Sequence, residues 1–566
     1  MSAETLALYL KEVDTNHALR MQYLDMQYAD PVDPMAAVRV LADDSHADIV
    51  GISVRYNTIE QMEKVIHVLK NSPRFQEKRK PFLVVGGVMP TFLAKEVVEK
   101  HPEVAVVSGE GELAMRELTR IVRDGGSLYE VPSLTFYDAE KGEIIQTPAV
   151  NLPLTETSVG GIIEELVPPL KAKGGIVWVS TSRGCPMDCS FCSVAAFREI
   201  TGAKGVTRRE VRPVEHVIDE IQALYANGLR HFVFADDEML VQGSQDFVRW
   251  HKLAEGFNRI GNDITVQCSV RSDVIVNKKD KDGGVARIAA LRALYEAGMT
   301  HVYIGFESGS PNQLRRYNKG ETVEDHLEAI DRLRSIGILV GGGFIMFDPL
   351  MRLEEILENI KFLRDADLIS VDRRDYVGDI FDMLRAQRDS AYIELLREED
   401  LLREPIPNTL FYNYEFKDQR VRKVAETCIG LATEIDGFFE TLKNAVFAKT
   451  MQDERGIGEK EDTKLLNHTL INMRLLDLTL LERLTNHAID NSDFLVRDYD
   501  EAFEILVSQY REERKMIIDT LVDEIRSGKV ETDAGEVLLS RILELPEFIE
   551  ERAWGSVVID ATKKIF

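Results

Sequence analysis

Three of the five cysteines fall within eight residues, in Ser182-Arg-Gly-Cys185-Pro-Met-Asp-Cys189-Ser-Phe-Cys192. The spacing Cys-x3-Cys-x2-Cys sets three thiols on one short loop, and clustered thiols outside a disulfide scaffold point to metal binding in a reducing cytosol. A structural zinc site closes with four ligands, and no further Cys or His pair lies near this loop to complete one. A [4Fe-4S] cluster has four irons, each normally held by a thiolate. Three protein thiolates leave one iron open to another ligand. Cys268 and Cys428 sit in apolar surroundings and read as buried thiols rather than ligands.

The loop needs a frame, and the flanking sequence supplies one. From residue 174 to about 400, apolar strand-like runs alternate with helical spacing. Strands are expected at 176–180, 231–235, 264–270, 301–306, 339–345 and 368–371. Six strand–helix units imply a partial parallel barrel, since a closed one needs eight. The cysteine loop follows the first of these strands. Polar residues recur at the ends of the others: Asp236, Asp237 and Glu238 after the second, Arg271 and Asp273 after the third, Glu307 and Ser308 after the fourth. Tyr317-Asn-Lys319-Gly320 follows, then Gly343-Phe-Ile345-Met-Phe347-Asp348-Pro349 at the fifth.

The cysteine spacing, with Phe191 before the third cysteine, resembles the radical S-adenosylmethionine (SAM) superfamily, and the order of the strand-end motifs extends the resemblance over roughly residues 170–400. It implies that Cys185, Cys189 and Cys192 hold the cluster. It also implies that SAM binds the open iron and is cleaved by an electron to a 5′-deoxyadenosyl radical. Phe191, Asp236, Asp237, Arg271, Glu307, Ser308, Lys319, Gly343 and Ile345 are then the expected SAM contacts. Phe347 departs from the glycine usual in the fifth-strand motif, so that ring and Asp348 are either core or part of a substrate pocket. An electron donor such as flavodoxin or ferredoxin is the implied partner.

Residues 1–145 alternate strands and helices as a Rossmann-like parallel sheet would. Ligands of such sheets sit beyond the strand ends, which here carry Ser53, Gly86, Gly87, Gly109 and Glu110. A domain of this kind ahead of the barrel resembles the cobalamin-binding class of radical SAM enzymes, mostly methyltransferases. Two features leave cobalamin open: the Asp-x-His-x-x-Gly cobalt motif is absent, Asp44-Ser-His46 being the nearest match, and residues 6–13 read as a first helix with no strand before them. Residues 18–25 read as strand-like, 146–173 as a proline-bearing linker, and 415–566 as an all-helical domain with long helices over 421–447 and 498–525.

Composition bounds the reading. A net charge of −27 opposes a phosphate backbone, despite the local groups Arg208, Arg209 and Arg212, and Arg315 and Arg316. No run of about 18 apolar residues occurs, and the first residues lack a signal-peptide pattern. The fold expected is therefore α/β, with a Rossmann-like domain, a partial (β/α)6 barrel and a helical tail. The expected function is functionalisation of a C–H bond in a small molecule or peptide, by methylation if cobalamin binds. Its rivals are a cobalamin-independent epimerisation, rearrangement or cyclisation, and a non-catalytic iron–sulfur regulator.

Overall fold

The computed structural model describes Leu10 and residues 33–545, apart from 45–46, 56–57, 78–79, 159–160, 163, 165–166, 173–174, 202–208, 242–243, 279–283, 371–374, 454–460, 492–500, 531 and 543–544. The expectations for residues 6–13, apart from Leu10, and for 18–25, His46 and Arg208 lie outside the described residues.

The N-terminal sheet has the order β1 (Ile49–Ser53), β2 (Phe82–Gly86), β3 (Val104–Val107), β4 (Leu134–Asp138), β5 (Glu143–Gln146). The first three strands are parallel and the last two form an antiparallel edge. Side chains alternate between the faces of a strand, so each face needs its own cover. Leu83, Val85, Val104 and Val106 pack with the helix Ile59–Lys70 on one side, while Val84, Ala105 and Val107 pack with Glu112–Asp124 on the other. The result is a three-layer α/β/α unit. The segment read as a linker holds two short helices, Leu154–Thr157 and Val167–Ala172.

The barrel is one open sheet of six parallel strands in chain order: β6 (Ile176–Val179), β9 (His231–Phe234), β10 (Thr265–Val270), β11 (Met299–Glu307), β12 (Leu339–Phe344) and β13 (Tyr376–Val377). A small hairpin, β7 (Ser182–Arg183) with β8 (Glu210–Val211), brackets the cysteine loop. The sixth strand differs from expectation. The apolar run at 368–371 does not form it: Leu368 is buried where it terminates the helix Leu353–Asp365, donating its N–H to Leu363 O. A short apolar run reads alike as strand or as buried helix end.

Three further strands escaped the sequence reading: β14 (Ala386–Gln387), β15 (Leu402–Pro405) and β16 (Phe411–Tyr414), antiparallel in the order β14-β16-β15. Phe411, Tyr412 and Tyr414 belong to this sheet. Helices then dominate: Gln419–Thr433, Asp436–Asp453, Glu461–Asp490, Glu501–Arg526 and Thr532–Ile542. The helix expected over 421–447 is broken between Thr433 and Asp436. The tail is joined to the barrel: the core of the barrel continues into Val421, Leu481 and Val507, and Arg474 donates to Gly378 O just past β13.

Candidate active site

The cysteine loop lies at the C-terminal end of β6 and is held from several sides. Asp236 Oδ1 accepts from Thr181 N (2.9 Å), Ser182 Oγ (2.6 Å) and Ser182 N, fixing the entry to the loop. Gly184, at φ +79°, donates to Asp237 Oδ2 (3.0 Å). Ser190 N donates to Tyr317 O (2.8 Å), Ser190 Oγ to Arg316 O (2.7 Å), and Asn318 Nδ2 to Asp188 O (2.8 Å). Phe191 meets Tyr317 edge-on, ring centroids 5.0 Å apart. The Tyr317-Asn-Lys319 motif thus anchors the loop through the Tyr317 carbonyl and ring and the Asn318 side chain.

The three thiols are half-buried on this loop, and burial raises the pKa of each, Cys192 to about 11. Such thiols stay protonated at neutral pH unless a metal displaces the proton. Among the described residues no three His, Cys, Asp or Glu side chains converge as a single-ion site would need. The thiolates of a cubane each take a different iron, so a soft, three-point anchor at a barrel mouth fits a [4Fe-4S] cluster.

Below the loop lies a buried ion network. Arg271 directs Nη1 at Cys189 Sγ (3.6 Å), Nε at Asp273 Oδ1 (3.0 Å) and Nη2 at Lys319 O (2.5 Å). Lys319 Nζ lies between Glu307 Oε1 (3.6 Å) and Glu321 Oε2 (3.5 Å). Glu238 is buried, its carboxyl pushed well above the carboxylate range by desolvation, and it accepts from Arg271 N (3.2 Å).

Glu307 is in the left-handed region at φ +65°, directly after a register shift between β11 and β12. A bulge at a strand end re-aims a side chain, and a non-glycine residue held there stores strain of the kind found at ligand sites. A Cβ on Gly305 would lie 2.5 Å from Glu307 Oε1, so glycine is what lets that carboxylate lie back over the strand.

Other expected SAM contacts have their polar atoms occupied. Ser308 is fully buried, with Oγ 2.6 Å from Gln313 and 2.8 Å from Asn359. Ile345 donates its N–H to Glu307 O (2.8 Å) and accepts from Gln313 Nε2 (3.0 Å). Gly343 makes room for Tyr303, whose hydroxyl would lie 2.8 Å from a Cβ there. Phe347 is a core ring, and Asp348 is buried against Arg316 (2.6 Å) and Tyr392 Oη (3.0 Å).

The N-terminal sheet directs its strand ends toward this loop. The helix Ser193–Ile200, which follows Cys192, packs Ala196, Phe197 and Ile200 into that domain's core. Arg183, inside the cysteine motif, reaches Glu110 (3.2 Å) and the buried Glu112 (2.7 Å). Sequence reasoning missed this joint; the signal was a lone arginine and two acids 71 residues or more apart.

The candidate cobalamin residues separate into two groups. A Cβ on Gly87 (φ +108°) would lie 2.3 Å from Val54 O, and one on Gly109 (φ +80°) 2.6 Å from Thr201 Cγ2. Their smallness is required by the chain's own packing, and Glu110 is engaged by Arg183. Ser53 and Gly86 are paired in register at the ends of β1 and β2, and a Cβ on Gly86 meets nothing closer than Val107 O at 3.5 Å. Nearby, Ser108 Oγ and Asn151 Oδ1 are buried without a hydrogen-bond partner among the described residues. An open strand end with unsatisfied polar atoms fits a flat ligand fringed with amide groups, as cobalamin is.

A partial parallel barrel with three thiols at its mouth, faced by an α/β/α domain, defines a class, and comparison with known proteins identifies it. Residues 179–371 match the radical SAM superfamily and residues 6–119 the B12 binding domain. The chain carries a radical SAM domain and, ahead of it, a B12 binding domain; the two domains imply a [4Fe-4S] cluster, SAM and cobalamin. It is 26% identical over 65% of its length to 4′-phospho-dehydrooxetanocin synthase of Priestia megaterium, covering 49% of that protein. It is 28% identical over 57% of its length to an uncharacterised methyltransferase of Pyrococcus horikoshii, covering 65% of it. The chain thus spans about half to two-thirds of these relatives. In fold it matches OxsB, a cobalamin-dependent SAM radical enzyme solved with aqua-cobalamin and SAM, with TM-score 0.77 and 21% identity over 96% of this chain and 81% of that one. Among the described residues no helix is long and apolar enough to cross a membrane.

Proposed function

We propose that this chain is a cobalamin-dependent radical SAM enzyme that functionalises an unactivated C–H bond of a small molecule or peptide, with methylation as the leading reaction. The observation that carries this is the joint at Arg183: one residue of the cluster loop is ion-paired to the strand end of the B12 binding domain. This joint sets the cluster loop beside a strand end of the B12 binding domain, as a reaction shared between the two cofactors needs. When bound, the cluster and SAM supply a 5′-deoxyadenosyl radical, and cobalamin supplies a transferable methyl group.

The chain's own residues do the rest. Cys185, Cys189 and Cys192 anchor three irons. Glu307, strained and partly buried, orients the cationic end of SAM, since carboxylates suit an ammonium donor, and Asp237 lines the same mouth. Ser53 and Gly86 offer a surface for cobalamin. The helical tail, joined at Arg474, covers the barrel's last strand and limits water near a reactive radical. We also place the protein in a reducing cytosol, because three of its five cysteines cluster as metal ligands, with a flavodoxin or a ferredoxin as electron donor.

A second reading is a radical rearrangement with cobalamin still bound. It is supported by the name of the Priestia megaterium relative, a synthase rather than a methyltransferase.

The test is anaerobic reconstitution with iron, sulfide and cobalamin, followed by reduction in the presence of SAM. Formation of 5′-deoxyadenosine with retained cobalamin is expected. Accompanying S-adenosylhomocysteine supports methylation, and its absence supports rearrangement. A loaded cluster that never cleaves SAM, with any extract fraction added as substrate, would overturn both.

A further inference from the structure

Arg271 was expected to contact SAM, yet its guanidinium is committed elsewhere. Its side chain is 6% exposed. Nε faces Asp273, Nη2 faces Lys319 O and Glu321 (3.5 Å), and Nη1 faces Cys189 Sγ. Turning the fork toward another ligand would take one of two cations from Glu321, whose side chain is completely buried, leaving it Lys319 (3.5 Å) alone. Lys319, 5% exposed, adds a second buried cation whose charge acts on Cys189.

We infer that Arg271 donates a hydrogen bond to the cluster through Cys189 and thereby raises the cluster's reduction potential, acting as a positioning residue for electron entry. This rests on the radical SAM reading above. Reduction brings one electron from an external donor into the cluster, and no proton need follow because arginine stays charged throughout. The added negative charge is stabilised by a fixed N–H donor and cation at the sulfur. Hydrogen bonds to cluster sulfurs and local charge are established determinants of such potentials. Asp273 and Glu321 lie on the nitrogens facing away from the sulfur, so they orient the fork without standing between it and the cluster.

The test compares wild type, Arg271→Lys and Arg271→Gln, reconstituted anaerobically with iron and sulfide. Iron and sulfide content and the visible absorbance of the cluster establish its occupancy. A redox titration without SAM, with dithionite or titanium(III) citrate as reductant, is then followed by EPR. Arg271→Gln should lower the midpoint potential. At the wild-type midpoint, its ratio of reduced to oxidised cluster should fall about tenfold, which is about 59 mV for one electron. Arg271→Lys should recover part of the loss, because the charge remains while the fork is gone. An unchanged potential in a fully loaded Arg271→Gln protein would overturn the inference; if SAM affinity fell instead, Arg271 would be a SAM ligand. Should the variants fail to hold a cluster, wild-type protein labelled with ¹⁵N-arginine decides. Pulsed EPR of its reduced, SAM-free cluster should show a ¹⁵N coupling, and a missing coupling overturns the inference. A wild-type protein that takes up no cluster would sink the radical SAM reading and this inference with it.

Discussion

The cysteine loop and the strand ends of the N-terminal sheet both looked like ligand sites, but the structure treats them differently. Around the cysteines, neighbouring motifs converge: Asp236, Tyr317 and Asn318 hold the loop, and Arg271 faces one of its sulfurs. At the N-terminal sheet, two of three candidate glycines are small because Val54 and Thr201 crowd them. Thiols at fixed spacing have few uses, whereas a glycine at a strand end has many. A residue type with one chemistry identifies a site; a residue type valued for lacking a side chain does not.

The largest predicted effect breaks the first half of this contrast. Cys189→Ala removes one iron's anchor and should abolish both the cluster's visible absorbance and SAM cleavage; a retained cluster would refute the ligand assignment. Next comes the joint between the regions. Arg183→Met leaves Glu110 and the buried Glu112 without their cation, a loss of about 3–5 kcal/mol for a broken buried pair. Thermal unfolding should show it, with an unchanged melting temperature as the contrary result.

His326 supplies a pH test of the barrel interior. Its ring is fully buried on Ser272 Oγ (2.7 Å), and desolvation lowers its pKa to about 3. The folded state therefore holds the neutral ring while the unfolded chain protonates it. The stability this residue contributes is complete above pH 6.5 and is lost as pH falls from there toward 3. Between pH 6.5 and 4.5 the loss is about 2–3 kcal/mol. Urea midpoints of wild type and His326→Gln should converge by that amount on acidification; parallel pH profiles would contradict a neutral buried ring.

Glu307→Ala should keep the cluster but weaken SAM binding by about 1–3 kcal/mol, one charged hydrogen bond. Equilibrium binding measures this, and an unchanged affinity would remove Glu307 from the site. The smallest effect on stability sharpens the second half of the contrast. Gly86→Ala meets only ordinary contacts, so unfolding should shift by no more than about 0.5 kcal/mol. Cobalamin retention should nonetheless fall, and full retention would move cobalamin away from that strand end.

Much of the frame was legible in the chain. Five of the six barrel strands fall within a residue or two of their apolar runs, because a parallel strand buried on both faces leaves a continuous apolar signature. The sixth did not, since Tyr376–Val377 is two residues long and Leu368 offered a stronger apolar run nearby. The strands β14 to β16 escaped because short antiparallel pieces rich in charge and turns carry little periodicity.

The sequence by itself determined the metal chemistry, since cysteine spacing on one loop is a local property that survives any arrangement of the rest. It also determined the order of the α/β units. Only the tertiary structure decided what the strand-end residues do. Ser308 was expected at a ligand and is occupied within the protein, Asp236 spends one carboxylate oxygen on the cysteine loop, and Arg271 turns to a sulfur 82 residues away in the chain. Arg183 joins two domains. Partners of that kind are set by which loops the barrel and sheet bring to one end, and a single sequence carries no trace of a distance between residues that fold from separate segments.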